Sequence, residues 1–339
     1  MHAAAIGAAY ACSGNFASGG GVSPRNTRLR GQSIIEYVLI IAIIGLVIVF
    51  AGPGVAGAIR NQFNLVSNTV NSGTGGDSFS SAEDKAHQEA MNNIAAKDAK
   101  DWTLAELKTV STDISKKGTS SVAYAKAKAA MEARTEWKIW ARGRYDSGYI
   151  RIIGINHDEL ADGSGKAGLT FLCDGVVNRT AGHMNSNPTN SGGWEKSDLR
   201  KMINSSEYLN KFDDSFTSLI VPVKKVSNNI GGGRANKDAK CTTTIDKLFV
   251  LSYSEIVPTS YWEAEFPWTS SEGYQYEAFK GKVTDNHGAN TALREMWDSW
   301  LRTCSVDDSA YFFMLESDGN PTRIQTPTST EGFRFAFCF

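Results

Sequence analysis

Few groups in this chain are placed to do covalent or metal chemistry. The five histidines, His2, His87, His157, His183 and His287, never stand at i and i+4, the spacing that sets two imidazoles on one helix face around a metal. No Gly-x-Ser-x-Gly elbow, phosphate loop or dinucleotide fingerprint is present, so the usual signatures of an activated serine or a nucleotide cradle are missing. No Cys-x-x-Cys pair occurs among Cys12, Cys173, Cys241, Cys304 and Cys338, which argues against a zinc site. Asp158, Asp162 and Ser164 lie in a Gly-rich loop and offer oxygens to a cation. Their spacing departs from the Asp-x-Asp-x-Asp-Gly calcium loop, and an Asx turn is the competing reading. No catalytic residue, metal ligand or cofactor is assigned.

Contact chemistry is better represented. Tyr261, Trp262, Trp268 and Tyr274 fall in a loop-like stretch, and aromatics in loops are candidates for an exposed ligand-contact patch. Trp194 with Arg200 and Trp300 with Arg302 either form stacking surfaces for sugars or are core aromatics with internally paired arginines. Cys173, Cys241, Cys304 and Cys338 are candidate disulfide cysteines, with three pairings open; four buried thiols are the alternative.

The elements that must carry these groups divide the chain. Its formal net charge of -1 gives no reason to expect nucleic acid as a partner. From Val38 to Ile59 no residue is charged, a run of about 22 residues, enough to cross a bilayer as a helix. Glu36 stands at its mouth, where a carboxylate is costly. Arg25, Arg28 and Arg30 precede the run and Arg60 follows it, which places the bulk of the chain outside. Residues 64–80 have the composition of a flexible linker. Residues 81–136 read as a helical spacer. A capping box at Thr103 and Glu106 opens one helix with Leu107, Val110 and Ile114 on one face, and Lys116, Lys117 and Gly118 stop it. A second helix runs from Ser121 to about Glu136. From Trp137 short β-like runs take over, at 137–141, 149–155, 169–173, 219–226, 247–252, 310–316 and 333–339. A helix intervenes, capped by Ser197, with Leu199, Met202 and Ile203 on one face. The fold class expected is α+β.

Gly31, Glu36, Tyr37 and the apolar run together resemble the processing site of Flp pilins of tight-adherence, type IV-like systems. The resemblance implies a leader at 1–31, cleavage between Gly31 and Gln32 by a prepilin peptidase, and a pilin-like transmembrane helix at 32–63. It implies filament assembly through Glu36 and Tyr37, with other pilin subunits and membrane lipid as partners.

Within 137–339, blocks such as Ile152–Phe171, Gly192–Asn204, Thr242–Ile256 and Gly332–Phe339 resemble an uncharacterised bacterial extracellular domain family that looks C-type-lectin-like. The sequence lacks the Glu-Pro-Asn and Gln-Pro-Asp triplets of calcium-dependent sugar-binding lectins, and carries Trp297-Asp298-Ser299 where they have Trp-Asn-Asp. The two resemblances together imply a long N-terminal transmembrane/pilin-like α-helix, a helical spacer and a C-terminal lectin-like mixed domain. They imply a single-pass membrane protein with its C-terminal domain extracellular, presenting a binding domain to a glycan or host-surface ligand for adhesion, without catalysis. An enzyme on a sulfatase-modifying-factor-like scaffold is the alternative, and needs Cys304 and Cys338 free and close together. A membrane-anchored structural protein that never polymerises is a third reading.

Overall fold

In the computed structural model, which describes residues 82–142, 147–174, 181–229, 241–258, 267–286, 290–293, 298–305 and 310–339, three helices come first: α1 (Ala82–Ala96), α2 (Leu104–Lys117) and α3 (Tyr124–Glu132). The expected capping box opens α2. Thr103 Oγ1 accepts from the Glu106 N–H at 3.2 Å, and the Glu106 carboxylate accepts from the Thr103 N–H at 2.8 Å, which satisfies backbone donors the first turn leaves open. Leu107, Val110 and Ile114 are buried, and Gly118 caps the helix at φ 57°. The second expected helix is shorter than 121–136. It ends at Glu132, and Glu136 already begins a strand.

The first sheet has the order β1 (Glu136–Trp140), β2 (Ser147–Ile155), β3 (Leu169–Asp174), β11 (Ala336–Cys338), with every pair antiparallel. In β1, Trp137 and Ile139 point inward while Glu136, Lys138 and Trp140 stay exposed, the alternation of a half-buried strand. The last residues alternate less, because Phe333, Phe335, Phe337, Ala336, Cys338 and Phe339 are all buried. Their rings pack with Phe171, Phe212 and Phe216, with Phe171 and Phe337 stacked at 5.3 Å. Four short helices, α4 (Gly193–Lys196), α5 (Asp198–Ile203), α6 (Ser206–Leu209) and α7 (Asp214–Thr217), follow β4 (Ala181–Gly182). Ser197 caps α5 by accepting from the Arg200 N–H, and Leu199 and Ile203 are buried; Met202, expected on that face, is exposed.

A two-stranded ribbon, β5 (Val223–Asn228) with β6 (Cys241–Asp246), comes next. The second sheet has the order β4, β10 (Glu331–Gly332), β7 (Ser299–Cys304), β8 (Phe312–Leu315), β9 (Arg323–Gln325). The run at 247–252 is not a strand: Phe249 makes a single bridge to Ala336. β6 and β7 lie where no strand is expected. Every residue of β7 is buried, so it shows none of the alternation that marks a strand with one wet face.

The segment expected as a spacer and the domain expected at 137–339 share one hydrophobic core. Ser111 in α2 donates to the Phe339 carbonyl at 2.5 Å and accepts from the Leu169 N–H at 2.9 Å. Ser115 donates to the Lys166 carbonyl at 2.5 Å. Gly168 lets α2 and β3 meet: a Cβ there would lie 1.9 Å from the Ser111 carbonyl oxygen.

The leader at 1–31, the cleavage pair Gly31–Gln32, the pilin-like helix at 32–63 with Glu36 and Tyr37, and the linker at 64–80 lie outside the described residues. The expected fold class and single-pass membrane location are corrected. Among the described residues no helix is long and apolar enough to cross a membrane, and the architecture is mixed α/β with its sheets in the C-terminal region. α1, the longest of these helices at 15 residues, falls short of the roughly 20 apolar residues a span requires. α2 is apolar on the face that packs inward. The pilin and membrane assignments are withdrawn with the fold class.

Candidate functional site

An ionic cluster fills the middle of the domain. β5 turns Val223, Lys225 and Ser227 inward, which forces an ammonium into the core. Lys225 Nζ lies 2.6 Å from Asp158 Oδ1 and 2.5 Å from Glu255 Oε1. Tyr276 and Thr170 hydroxyls donate to the Asp158 carboxylate at 2.9 and 2.6 Å. Arg302, on β7 and fully buried, forks onto Glu255 at 2.5 and 2.9 Å and donates to the Glu272 carbonyl at 2.6 Å. Fork-to-carboxylate geometry is the strong form of this pairing. Burial works against the Asp158 and Glu255 carboxylates, but the Lys225 charge beside Asp158 and the Arg302 and Lys225 charges beside Glu255 outweigh it and hold both below their usual range.

Glu272 is the third carboxylate. It accepts from the Asn228 N–H at 3.0 Å and from the Thr303 hydroxyl at 2.5 Å. Burial nevertheless pushes its pKa up to about 7, against the pull of Arg302. An acid whose pKa is raised on folding binds more protons in the folded chain than in the unfolded one between the two values. Stability therefore falls as pH rises from about 4.5 to about 7 and then levels. The contribution lost is on the order of 3 kcal/mol. Urea unfolding of the full chain at a series of pH values checks this. Glu272→Gln should flatten the slope in that window, and an unchanged slope would assign it to another group.

The cluster floors a cleft with about 300 Å³ of free space, whose mouth carries Lys166, Lys224 and Tyr274. Three rings form a stack along one wall. His157 lies between Tyr274, 4.1 Å away by centroid, and Tyr276, 3.9 Å away. Gly154 makes room for this stack, since a Cβ there would sit 2.7 Å from the Tyr276 ring. Glu277 pins the imidazole, with Oε2 3.2 Å from Nδ1. Burial opposes the Glu277 carboxylate, yet its hydrogen bond and charge contact with His157 take it down to about 2. Tyr274 ends the stack with 42% of its surface exposed. Lys166 Nζ donates to its hydroxyl at 3.1 Å, and Lys280 lies 5.7 Å from its ring centroid.

Of the expected contact patch, Tyr274 is the one member among the described residues that lines this cleft. Trp268 is half-buried: its Nε1–H donates to the Cys304 carbonyl at 3.3 Å and its ring meets Phe313 edge-on. Tyr261 and Trp262 lie outside the described residues. Trp194 and Trp300 are core aromatics and Arg200 pairs with Asp246 at 2.6 Å, so the internal reading of both Trp–Arg blocks is the one observed. Asp162 Oδ1 accepts from the Ser164 N–H and hydroxyl at 2.9 and 2.7 Å, an Asx turn. Among the described residues no group of three or more His, Cys, Asp or Glu side chains is placed to hold a metal ion.

The expected disulfides are corrected. Cys173, Cys241, Cys304 and Cys338 are thiols, with Cys241 exposed. Cys304 Sγ points at the Asn190 carbonyl, 3.8 Å away, whereas Cys338 Sγ lies 3.3 Å from the Thr170 hydroxyl. Cys304 belongs to the second sheet and Cys338 to the first. Burial pushes both thiols well above their ordinary pKa, away from the thiolate form that nucleophiles and metal ligands need.

A family model described as a domain of unknown function, DUF6273, matches residues 167–339, just over half of the chain. The chain belongs to the DUF6273 family. No curated protein and no solved structure matches it. The DUF6273 segment supplies Lys225, Glu255, Glu272, Tyr274, Tyr276 and Arg302. His157, Asp158 and Lys166 come from the residues before it, so the cleft is completed by β2 and the loop that follows. Sequence reasoning missed Lys225, Glu255 and Glu272, and reached Arg302 only as half of a Trp–Arg block, without its carboxylate partner. The available signal was Lys225 two places after Val223 in a strand-like run, where alternation sends one lysine inward.

Proposed function

We propose that this DUF6273 protein is a recognition module without catalysis, and that it takes a polar, saccharide-type ligand in the cleft beside Tyr274. The observation that carries this reading is the exposed outer ring of the Tyr274–His157–Tyr276 stack at the mouth of a polar cleft. A tyrosine held rigidly by a ring behind it offers an apolar face for the C–H side of a sugar. The Lys166 ammonium and the Thr243 and Ser271 hydroxyls around it offer hydrogen bonds to sugar hydroxyls. The ionic floor supports binding over reaction, because Lys225 and Arg302 are committed to internal carboxylates.

A glycan screen with the full chain tests this. At least one saccharide should bind saturably, and Tyr274→Ala should weaken it by about tenfold, the scale of one aromatic stacking contact with its buried area. Its melting temperature should change little, since Tyr274 sits at the rim. Absence of any glycan ligand, or binding indifferent to Tyr274→Ala, would defeat the proposal.

A further inference from the structure

The wall of the cleft that carries Tyr274 is a strap, and one carboxylate ties it down. A short 3-10 helix, Pro267–Glu272, runs into Gly273 and Tyr274, and Ser271, Glu272, Gly273 and Tyr274 all line the cleft. Ser270, Ser271 and Tyr274 are exposed, whereas the Glu272 side chain turns beneath them and is buried. Past Tyr274 the chain is fixed. The Gln275 amide donates to the Ile256 and Val283 carbonyls at 2.9 and 2.8 Å, and Tyr276 is buried. Gly273 joins the strap to this fixed part at φ 135°, and a Cβ there would lie 3.2 Å from Glu255 Cγ.

The ties on Glu272 come from two strands. Its carboxylate accepts from the Asn228 N–H of β5 and the Thr303 hydroxyl of β7, both neutral donors. The charged groups that face it are Arg302 on β7 and Glu255, and the Cys304 thiol of β7 feels its charge. Arg302 meets Glu272 at the backbone carbonyl, because its fork is occupied by Glu255. With the strap down, an ionised Glu272 is therefore held out of water beside a second carboxylate. A proton relieves that cost, and so does lifting the strap into water. The closed strap has room for the acid form: Thr303 Oγ1 accepts from the Tyr253 N–H at 2.9 Å and keeps a lone pair for the O–H of a protonated Glu272. Glu272 titrates at about 7 with the strap down, against 4.5 for a hydrated glutamate. A group whose value is raised in the closed form stabilises that form at low pH, and the benefit is lost as pH rises through the higher value.

We propose that this strap is a proton-operated latch on the cleft, down while Glu272 carries a proton and lifting as the proton is lost. Lifting withdraws Tyr274 and its neighbours from the wall. An occupant that needs the complete cleft is held in mildly acid solution and released in alkaline solution. The latch acts on any occupant and does not rest on the saccharide reading.

Amide hydrogen exchange of the full chain with no ligand added, read residue by residue by NMR, tests it. The Asn228 N–H loses its acceptor when Glu272 leaves, so it reports the latch. The Phe249 N–H, bonded to the Ala336 carbonyl at 3.0 Å in the core, reports global unfolding. After correction for intrinsic exchange, protection of Asn228 should fall about 30-fold between about pH 5.5 and about pH 8, the ratio set by 4.5 for the lifted strap and about 7 for the closed one. It should stay below that of Phe249 throughout. Glu272→Gln offers a carbonyl to Asn228 and an amide donor to Thr303 Oγ1, as the protonated acid does, so it should keep the strap down and abolish the fall. Gly273→Ala should lower protection of Asn228 at both pH values and keep the ratio, because alanine resists the positive φ. Protection of Asn228 that ignores pH in the natural sequence would overturn the proposal. So would an undiminished fall in Glu272→Gln, protection equal to that of Phe249 at every pH, or no change in Gly273→Ala.

Discussion

Replacing Arg302 with methionine is expected to destabilise the full chain by about 3–5 kcal/mol at pH 7, the usual consequence of removing one partner from a buried ion pair. Arg302 is fully buried and its fork occupies both oxygens of Glu255. It also donates to the Glu272, Val250 and Val226 carbonyls. Without the guanidinium, Lys225 alone faces the Asp158 and Glu255 carboxylates, with Glu272 close behind. One carboxylate must then take up a proton to stay buried. The sign of the pH dependence follows: a carboxylic acid with a raised folded-state pKa gives stability that is present at low pH and lost as pH rises. The deficit of Arg302→Met should therefore be smaller near pH 5 than near pH 8 in urea unfolding. Adding Glu255→Gln to Arg302→Met should recover part of the loss, because it removes the stranded charge. A deficit that ignores pH, or a double variant no better than the single one, would show that Arg302 acts by packing alone.

The second large effect is steric. Gly168→Ala should cost about 3 kcal/mol or more, since overfilling a packed backbone contact leaves no cheap relaxation. The added carbon would meet the Ser111 carbonyl oxygen at 1.9 Å and the Ser115 nitrogen at 2.9 Å. Both belong to α2, so relief requires the whole helix to withdraw. Withdrawal breaks the hydrogen bonds of Ser111 to Leu169 and Phe339 and of Ser115 to Lys166. Gly182→Ala is the control, because its Cβ would meet nothing nearer than the Phe333 ring at 3.6 Å; it should shift the urea midpoint little. Equal shifts for the two would mean that α2 does not press on β3 in solution.

Local grammar was the readable part of this sequence. Thr103 with Glu106, the Leu107–Val110–Ile114 stripe and the Gly118 stop are contacts within about one or two helical turns, and they form as written. Strands with one wet face, such as β1, were legible for the same reason. β7 was not, because burial on every side removes the alternation that announces a strand. The ionic cluster was harder still. Asp158, Lys225, Glu255 and Arg302 are brought together by the sheets from positions 30 to 67 residues apart along successive contacts, and nothing local marks them as partners. Trp194 and Trp300 mislead in the opposite way: a tryptophan beside an arginine suits a binding surface and a core equally, and here both rings are buried. The apolar run near the start dominated the reading of location, and the described residues offer no helix of that kind.

The contact between α2 and β3, together with the origin of Asp158, bears on how the family segment can be handled. A fragment cut at residue 167 would carry β3 and β11 without β1 and β2. Its Lys225 would retain one counter-ion of two. Such a piece loses two of the four strands of the first sheet, and transplanting it into another protein is expected to succeed only if the upstream helices and hairpin travel with it.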